Sequence, residues 1–157
     1  MSEGYLFGLP MRGYLEGTWR LDRRIEDRRG ASDGVFSGEA RFAAEGTDAL
    51  HYREDGTMRM GTHTMKASQA YRWQFDARGA DVAFTDGRPF HRVAPREGTA
   101  TALHDCPPDT YRVVYRFETP DRWRQRWIVT GPRKDHTIES VFTRLHPPGD
   151  PVHPAPE

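Results

Sequence analysis

An alternation of apolar and polar residues with a period of two recurs along this chain from residue 18 to residue 145. A β-strand sends successive side chains to opposite faces, so the pattern describes strands with one face buried; helical spacing of apolar residues is nearly absent. Strands are predicted over Thr18–Glu26, Val35–Ala43, Ala49–Asp55, Met58–Met65, Ser68–Asp76, Asp81–Thr85 and Arg88–Val93. Four more follow over Thr99–Asp105, Thr110–Thr119, Arg122–Thr130 and His136–Leu145. Turn chemistry punctuates them: RRGASDG, AEGTD, EDGT, ARGAD, TDGRP, DCPPDT, TPDR and GPRKD. About ten short strands with tight connections make an antiparallel meander, and such a meander loses its exposed edges by closing into a barrel. The predicted fold is therefore all-β: a single antiparallel β-barrel, with a short helix or turn around Met11–Glu16 capping one mouth.

At 157 residues the chain is long enough for one domain that buries roughly 70% of its unfolded surface. The barrel is assigned to residues 1–146, and the proline-rich PPGDPVHPAPE of 147–157 to a disordered tail. Mean hydropathy is low, at −0.84, but 4 Trp, 6 Tyr and 8 Phe supply large side chains to bury. Lys+Arg and Asp+Glu stand at 23 each, so there is no basic excess to hold nucleic acid or a membrane surface. The N-terminus lacks the basic start and continuous apolar run of a secretory signal, and no apolar stretch approaches the ~20 residues of a membrane helix. The lone Cys106 cannot form an internal disulfide, which fits a reducing compartment. A cytoplasmic monomer or homodimer is expected, without nucleic-acid or membrane partners.

The hairpin Tyr111–Val129 shows the two faces. Tyr111, Val113, Tyr115 and Phe117 lie opposite Trp123, Gln125, Trp127 and Val129; Arg112, Arg116, Glu118, Arg124 and Arg126 occupy the other side. Aromatic pairs across a hairpin belong on the buried face. In a barrel that face can line a cavity as well as fill a core.

EGTWRL at Glu16–Leu21 opens the first strand, and VFTRL at Val141–Leu145 closes the last. A Gly-x-Trp on strand one with an arginine on the final strand resembles the calycin superfamily of lipocalins, fatty-acid-binding proteins and nitrobindin-like barrels. The resemblance implies that Arg144 lies across Trp19 in a cation–π contact that closes the barrel base. The blocks LEGTWRLDRRI, DGRPFH, HDCPPDTYRV, W…W.V.GPRKD and FTR also resemble, in order, a family of small bacterial and fungal domains without an assigned function. That second resemblance implies the same barrel and no activity.

Four polar clusters are candidates for chemistry. In FTDGRPFH, Asp86-Gly87 reads as a two-residue turn; Pro89 cannot donate to a ladder, so a bulge or edge is expected there, and a bulge can re-aim His91 into a cavity. In LHDCPPDTY, His104 and Cys106 share a face, read as a buried histidine and a small buried thiol. One nitrogen and one sulfur are too few for zinc, so no metal site is expected. In LHYREDGT, Tyr52 and Glu54 share the inward face. EDGT, read as a turn, leaves Glu54 solvated near the mouth; turned inward, it needs a partner such as Arg72 or Arg88. GPRKDHT places charges at a rim, and His136 is the residue a haem reading would examine, although no motif carries a haem ligand onto it.

The expected function is binding of one small, partly apolar organic molecule in an aromatic-lined cavity, without a cofactor. Tyr52, Tyr71, Trp73, Phe84, Tyr115 and Trp127 supply area; Glu54, Asp86, Arg88, His91 and His104 orient the ligand. The alternative is a cofactor-independent cyclase, isomerase, lyase or hydrolase with His91, His104 or Glu54 as acid or base. Haem binding is the third reading.

Overall fold

A computed structural model of the chain describes residues 4–30 and 33–145. The expected tail at 147–157 lies outside the described residues. A two-strand ribbon, β1 (Tyr5–Leu6) and β2 (Leu9–Pro10), leads into the short helix α1 (Met11–Leu15). Ten strands follow: β3 (Gly17–Asp27), β4 (Gly34–Glu45), β5 (Ala49–Met60), β6 (His63–Phe75) and β7 (Ala80–Phe84), then β8 (Pro89–Val93), β9 (Thr99–Cys106), β10 (Asp109–Thr119), β11 (Arg122–Thr130) and β12 (Asp135–Arg144). All ten belong to one antiparallel sheet in the order β8-β7-β6-β5-β4-β3-β12-β11-β10-β9. β3 and β12, far apart in sequence, pair from Trp19↔Arg144 to Asp27↔His136, which curls the sheet round.

The barrel is nearly closed. β8 and β9 are the two ends of the sheet and share no ladder, but side chains bridge the gap: the Phe90 ring lies 5.2 Å from His104 and edge-on to it. The bulge expected at Pro89 is present, with the register slipping between Val82↔His91 and Ala83↔Pro89.

The sequence reading splits at one place. EDGT is not a turn: β5 runs through it, and the chain reverses later at Gly61-Thr62. The predicted strand Met58–Met65 therefore straddles the real turn, its first residues ending β5 and its last beginning β6, which runs on without a break through most of the predicted Ser68–Asp76. Gly56 faces Gly38 across the ladder, where a Cβ would come within 2.6 Å of the Phe36 ring and 2.4 Å of the Ser37 carbonyl oxygen. Here glycine permits close approach of two strands within the sheet.

The base of the barrel is packed solid. Arg144 stacks over Trp19 at 4.1 Å and Tyr14 at 5.2 Å, as the sequence resemblance implies. Its Nη2 donates to the carbonyls of Tyr14 and Pro120, each at 2.8 Å, and Trp19 Nε1 donates to the Leu15 carbonyl at 2.8 Å. α1 contributes buried Met11, Tyr14 and Leu15 to this plug. Above it, Trp123 stacks on Phe142 with ring centroids 3.7 Å apart.

Candidate functional site

Between that plug and the loops at the far end lies a cavity of about 270 Å3. Alternation puts Trp19, Leu21, Arg23 and Ile25 of β3 on the inner face, and carries Tyr52, Glu54 and Met58 of β5 in beside them. The β10–β11 hairpin presents the predicted face: Val113↔Trp127, Tyr115↔Gln125 and Phe117↔Trp123 are opposed pairs, all six at least half-buried. Trp123 and Phe142 make the floor, with Phe42 packed behind Trp123; Phe90 stacks on Trp127 at 5.2 Å and 3°, and Tyr52 stacks on Tyr71 at 6.0 Å.

Two polar groups interrupt this aromatic wall. In the first, Arg23 grips Glu54 with both terminal nitrogens, at 2.5 and 3.1 Å, while its Nε donates to Ser140 Oγ at 2.8 Å. Tyr52 Oη donates to the same carboxylate at 2.6 Å. The side chains are 13% and 4% exposed, so the pair is largely removed from water. Burial works against the guanidinium charge, but the hydrogen bond and charge of Glu54 outweigh it and hold the Arg23 pKa above its ordinary value. Burial, then the Glu54 charge, raises the Tyr52 phenol well above its usual range and pushes Tyr71 up to about 12. In the second group, Gln125 Nε2 donates to Tyr115 Oη at 3.0 Å, and that hydroxyl lies 2.7 Å from His91 Nε2, bridging the unpaired seam. Burial, with a smaller contribution from His104, lowers His91 to about 3, so its imidazole is neutral at ordinary pH.

Of the residues singled out in the sequence, Tyr52, Glu54, Tyr71, Trp73, His91, Tyr115 and Trp127 line the cavity. Phe84 lies behind them, stacked on Phe90 at 4.7 Å. His104 is half-buried outside the lining, packed edge-on against Phe90. Asp86 and Arg88 pair with each other at 2.8 Å in the exposed turn, with Arg88 over the Phe84 ring. Two expectations need correction. Glu54 is not solvated, because no turn follows it, and its partner is Arg23 instead of Arg72 or Arg88. Cys106 is exposed, since β9 ends there at the loop end of the barrel. His136 lies 3.4 Å from Asp27 on the rim and does not line the cavity. The sequence reading put Trp123 and Gln125 on the inward face of the hairpin without counting them as site residues, and missed Arg23, Gln69 and Phe90; strict alternation from Trp19 to Ile25 is the signal that places Arg23 inside.

Among the described residues no cluster of three or more His, Cys, Asp or Glu could hold a metal ion, and no helix is long and apolar enough to cross a membrane.

A search of curated proteins found no match to the chain. Among solved structures it is similar to the S-type phycobiliprotein lyase CPES from Guillardia theta: 12% identity, TM-score 0.62, over 87% of this chain and 91% of that one. It is also similar to a DUF3598 protein of unknown function from Nostoc punctiforme, with 11% identity and TM-score 0.61 over 90% of this chain but only 54% of the other. At such identities the likeness is one of fold. The sequence itself is matched from residue 15, the last of α1, to residue 144, the arginine that closes the base, by the model of the family of unknown function DUF6314, and the chain belongs to that family.

Proposed function

We propose that this calycin-like barrel binds one small, partly apolar organic molecule in its cavity. The observation that carries the proposal is the contrast in filling: the base is packed to contact, while about 270 Å3 stays open among aromatic walls and buried polar groups. That volume sits just under the ~300 Å3 at which small-molecule sites commonly begin, and the mixture of many apolar and few polar groups is the usual composition of such sites. The chemistry of the polar groups favours binding over catalysis. An efficient acid or base has its pKa near working pH. Here His91 is pulled to about 3 and Tyr71 pushed to about 12, both mainly by burial. A cytoplasmic setting, to which the exposed Cys106 thiol is suited, belongs to the same proposal.

Titration with small aromatic compounds is expected to quench Trp73 and Trp127 emission saturably, at one molecule per chain. Val82→Phe, which fills the cavity with an apolar ring, is expected to abolish the response while the protein stays folded. A panel giving no saturable quenching, together with a native mass spectrum free of any retained compound, defeats the proposal.

A further inference from the structure

Apart from the seam between β8 and β9, one long stretch of main chain has a strand on one side only. β6 runs for 13 residues, yet β7 pairs with it only from Tyr71 to Phe75. β7 and β8 are five residues long each, so the wall is notched above the turn that joins them, and residues 63–70 pair with β5 alone. Alternation fixes where the free groups point. Phe75 N–H donates to the Asp48 carbonyl on the β5 side at 2.7 Å, and Asp76 N–H to the Gly79 carbonyl on the β7 side at 2.9 Å. Successive residues of a strand turn their main-chain groups to opposite sides, and the β5–β6 register is unbroken from Met60↔His63 to Ala49↔Gln74. Thr64, Lys66, Ser68 and Ala70 therefore present N–H and C=O outward, and among the described residues these groups have no partner.

Natural sheets blunt such an edge with proline, a bulge, an inward-pointing charge or a short strand. None of these is used here. The edge spans about 27 Å, holds no proline or glycine, shows no register shift, and carries one lysine, Lys66, and no carboxylate. A row of open N–H and C=O groups recognises another extended main chain, since only a strand can match its spacing.

The side chains along the edge say which strand fits. Tyr71 and Gln69 line the cavity, so alternation puts Ala67 and Met65 on the same inner side. Met65 is 51% exposed and stands opposite Met58, and methionine is a soft, adaptable contact for apolar partners. The outer side offers Thr64, Lys66 and Ser68, all exposed. An incoming strand thus meets apolar surface toward the cavity mouth and a positive charge on its other face. A second copy of this chain fits poorly. Two edges paired about Lys66 set the lysines opposite each other, which destabilises a ladder. Paired about Ala67, each His63 falls where Phe84 of the other copy already pairs with Tyr71; paired about Met65, the edges engage only residues 63–67.

We propose that the free edge of β6 docks an extended segment of a partner protein, which adds as a strand beside residues 64–70 with apolar side chains toward Met65 and Ala67 and an acidic one opposite Lys66. The site stands apart from the cavity and does not depend on what the cavity binds. The probe is a fluorescein-labelled peptide, acetyl-Glu-Val-Glu-Val-Glu-Val-Glu-amide, titrated into the full chain by anisotropy, with its Lys-for-Glu counterpart as control. The Glu peptide is expected to bind saturably, about fivefold more tightly than the Lys peptide, and to slow amide exchange at Thr64, Lys66, Ser68 and Ala70. Lys66→Glu, at an exposed position, is expected to reverse the order of the two peptides. N-methylation of the glutamates, whose N–H groups face β6 in this arrangement, is expected to abolish binding. Equal affinity for the two peptides, undiminished binding of the N-methylated one, or exchange protection confined to other residues overturns the proposal. So does an absence of saturable binding, or a free chain that sediments as a dimer with the amides of residues 64–70 already protected.

Discussion

The two ends of the barrel are built from the same ten strands and the same alternation, yet they differ in what the inward side chains do. At the base, Trp19, Tyr14, Phe117, Trp123 and Phe142 meet ring against ring, and Arg144 spends its hydrogen bonds on backbone carbonyls left by α1 and the β10–β11 turn. Toward the loops, aromatic rings line a void, and the inward charges Arg23 and Glu54 satisfy each other. An arginine inside a barrel therefore does two jobs here. One closes a mouth by stacking and capping; the other neutralises a carboxylate in a place where filling would otherwise be apolar.

The contrast breaks most visibly at the base. Trp19→Ala removes a fully buried ring, the platform under Arg144 and the donor to the Leu15 carbonyl. Its expected cost is about 4 kcal/mol or more in urea unfolding, within the range for tryptophan truncation in a core plus a lost hydrogen bond. A loss under about 2 kcal/mol would mean that the base is not the rigid end. The cavity pair comes next. Glu54→Leu leaves Arg23 and the Tyr52 hydroxyl without their acceptor, with an expected cost of about 3 kcal/mol. Adding Arg23→Met to it is expected to recover most of that loss, since an apolar pair has no desolvation to offset. If the double variant is no more stable than Glu54→Leu alone, the two charges are not coupled as drawn.

How much of this could be read from the sequence follows the same division. The strand period and the turn residues gave the barrel, because each is a local signal, and the resemblance carried by the Gly-Thr-Trp and Phe-Thr-Arg blocks implied the contact of Arg144 with Trp19 at its base. Tyr52, Tyr71, Trp73, Tyr115 and Trp127 were legible as an inward face because aromatic residues at alternate positions leave little choice. Arg23 was not, since one of two adjacent arginines reads as solvated unless the strand phase is held strictly from Trp19. Glu54 was misplaced because Glu-Asp-Gly-Thr has the composition of a turn, while Gly56 actually makes room for Phe36 and Gly38 within the sheet. The meeting of His91 with Tyr115 has no local signal at all: the residues lie 24 positions apart, on strands separated by the unpaired seam.

The next effect is a pH dependence, and it sharpens the cavity side alone. His91 has a folded pKa of about 3, against 6.5 when exposed, so the unfolded chain takes up a proton that the folded one refuses. Stability is therefore full above about pH 6.5 and falls as the solution is acidified toward pH 3, by at most about 1.4 kcal/mol per pH unit. Asp76, lowered to about 2 by Arg92 and by backbone N–H groups, loses its contribution only below the ordinary carboxylate range, so the interval from pH 6.5 to 4.5 isolates the histidine. Urea midpoints across that interval should decline in the wild type and stay nearly level in His91→Phe. Parallel declines in the two proteins would place His91 in contact with water.

The smallest effect is expected at the turn that joins β7 to β8, where the polar side chains are exposed. Asp86 and Arg88 are 57% and 73% exposed, and an ion pair so far into solvent contributes little because water screens it and two flexible side chains must be held in place. Arg88→Ala also loses its position over the Phe84 ring, itself a minor term at an exposed site. The expected change is below about 0.5 kcal/mol in stability, with ligand affinity unaltered within twofold. This null result is informative because Arg88 sits only three residues before His91, on the other side of the Pro89 bulge. A tenfold loss of affinity in Arg88→Ala would move the recognition site from the cavity to its rim, and the division between a packed base and a binding interior would have to be redrawn with the turn as part of the site.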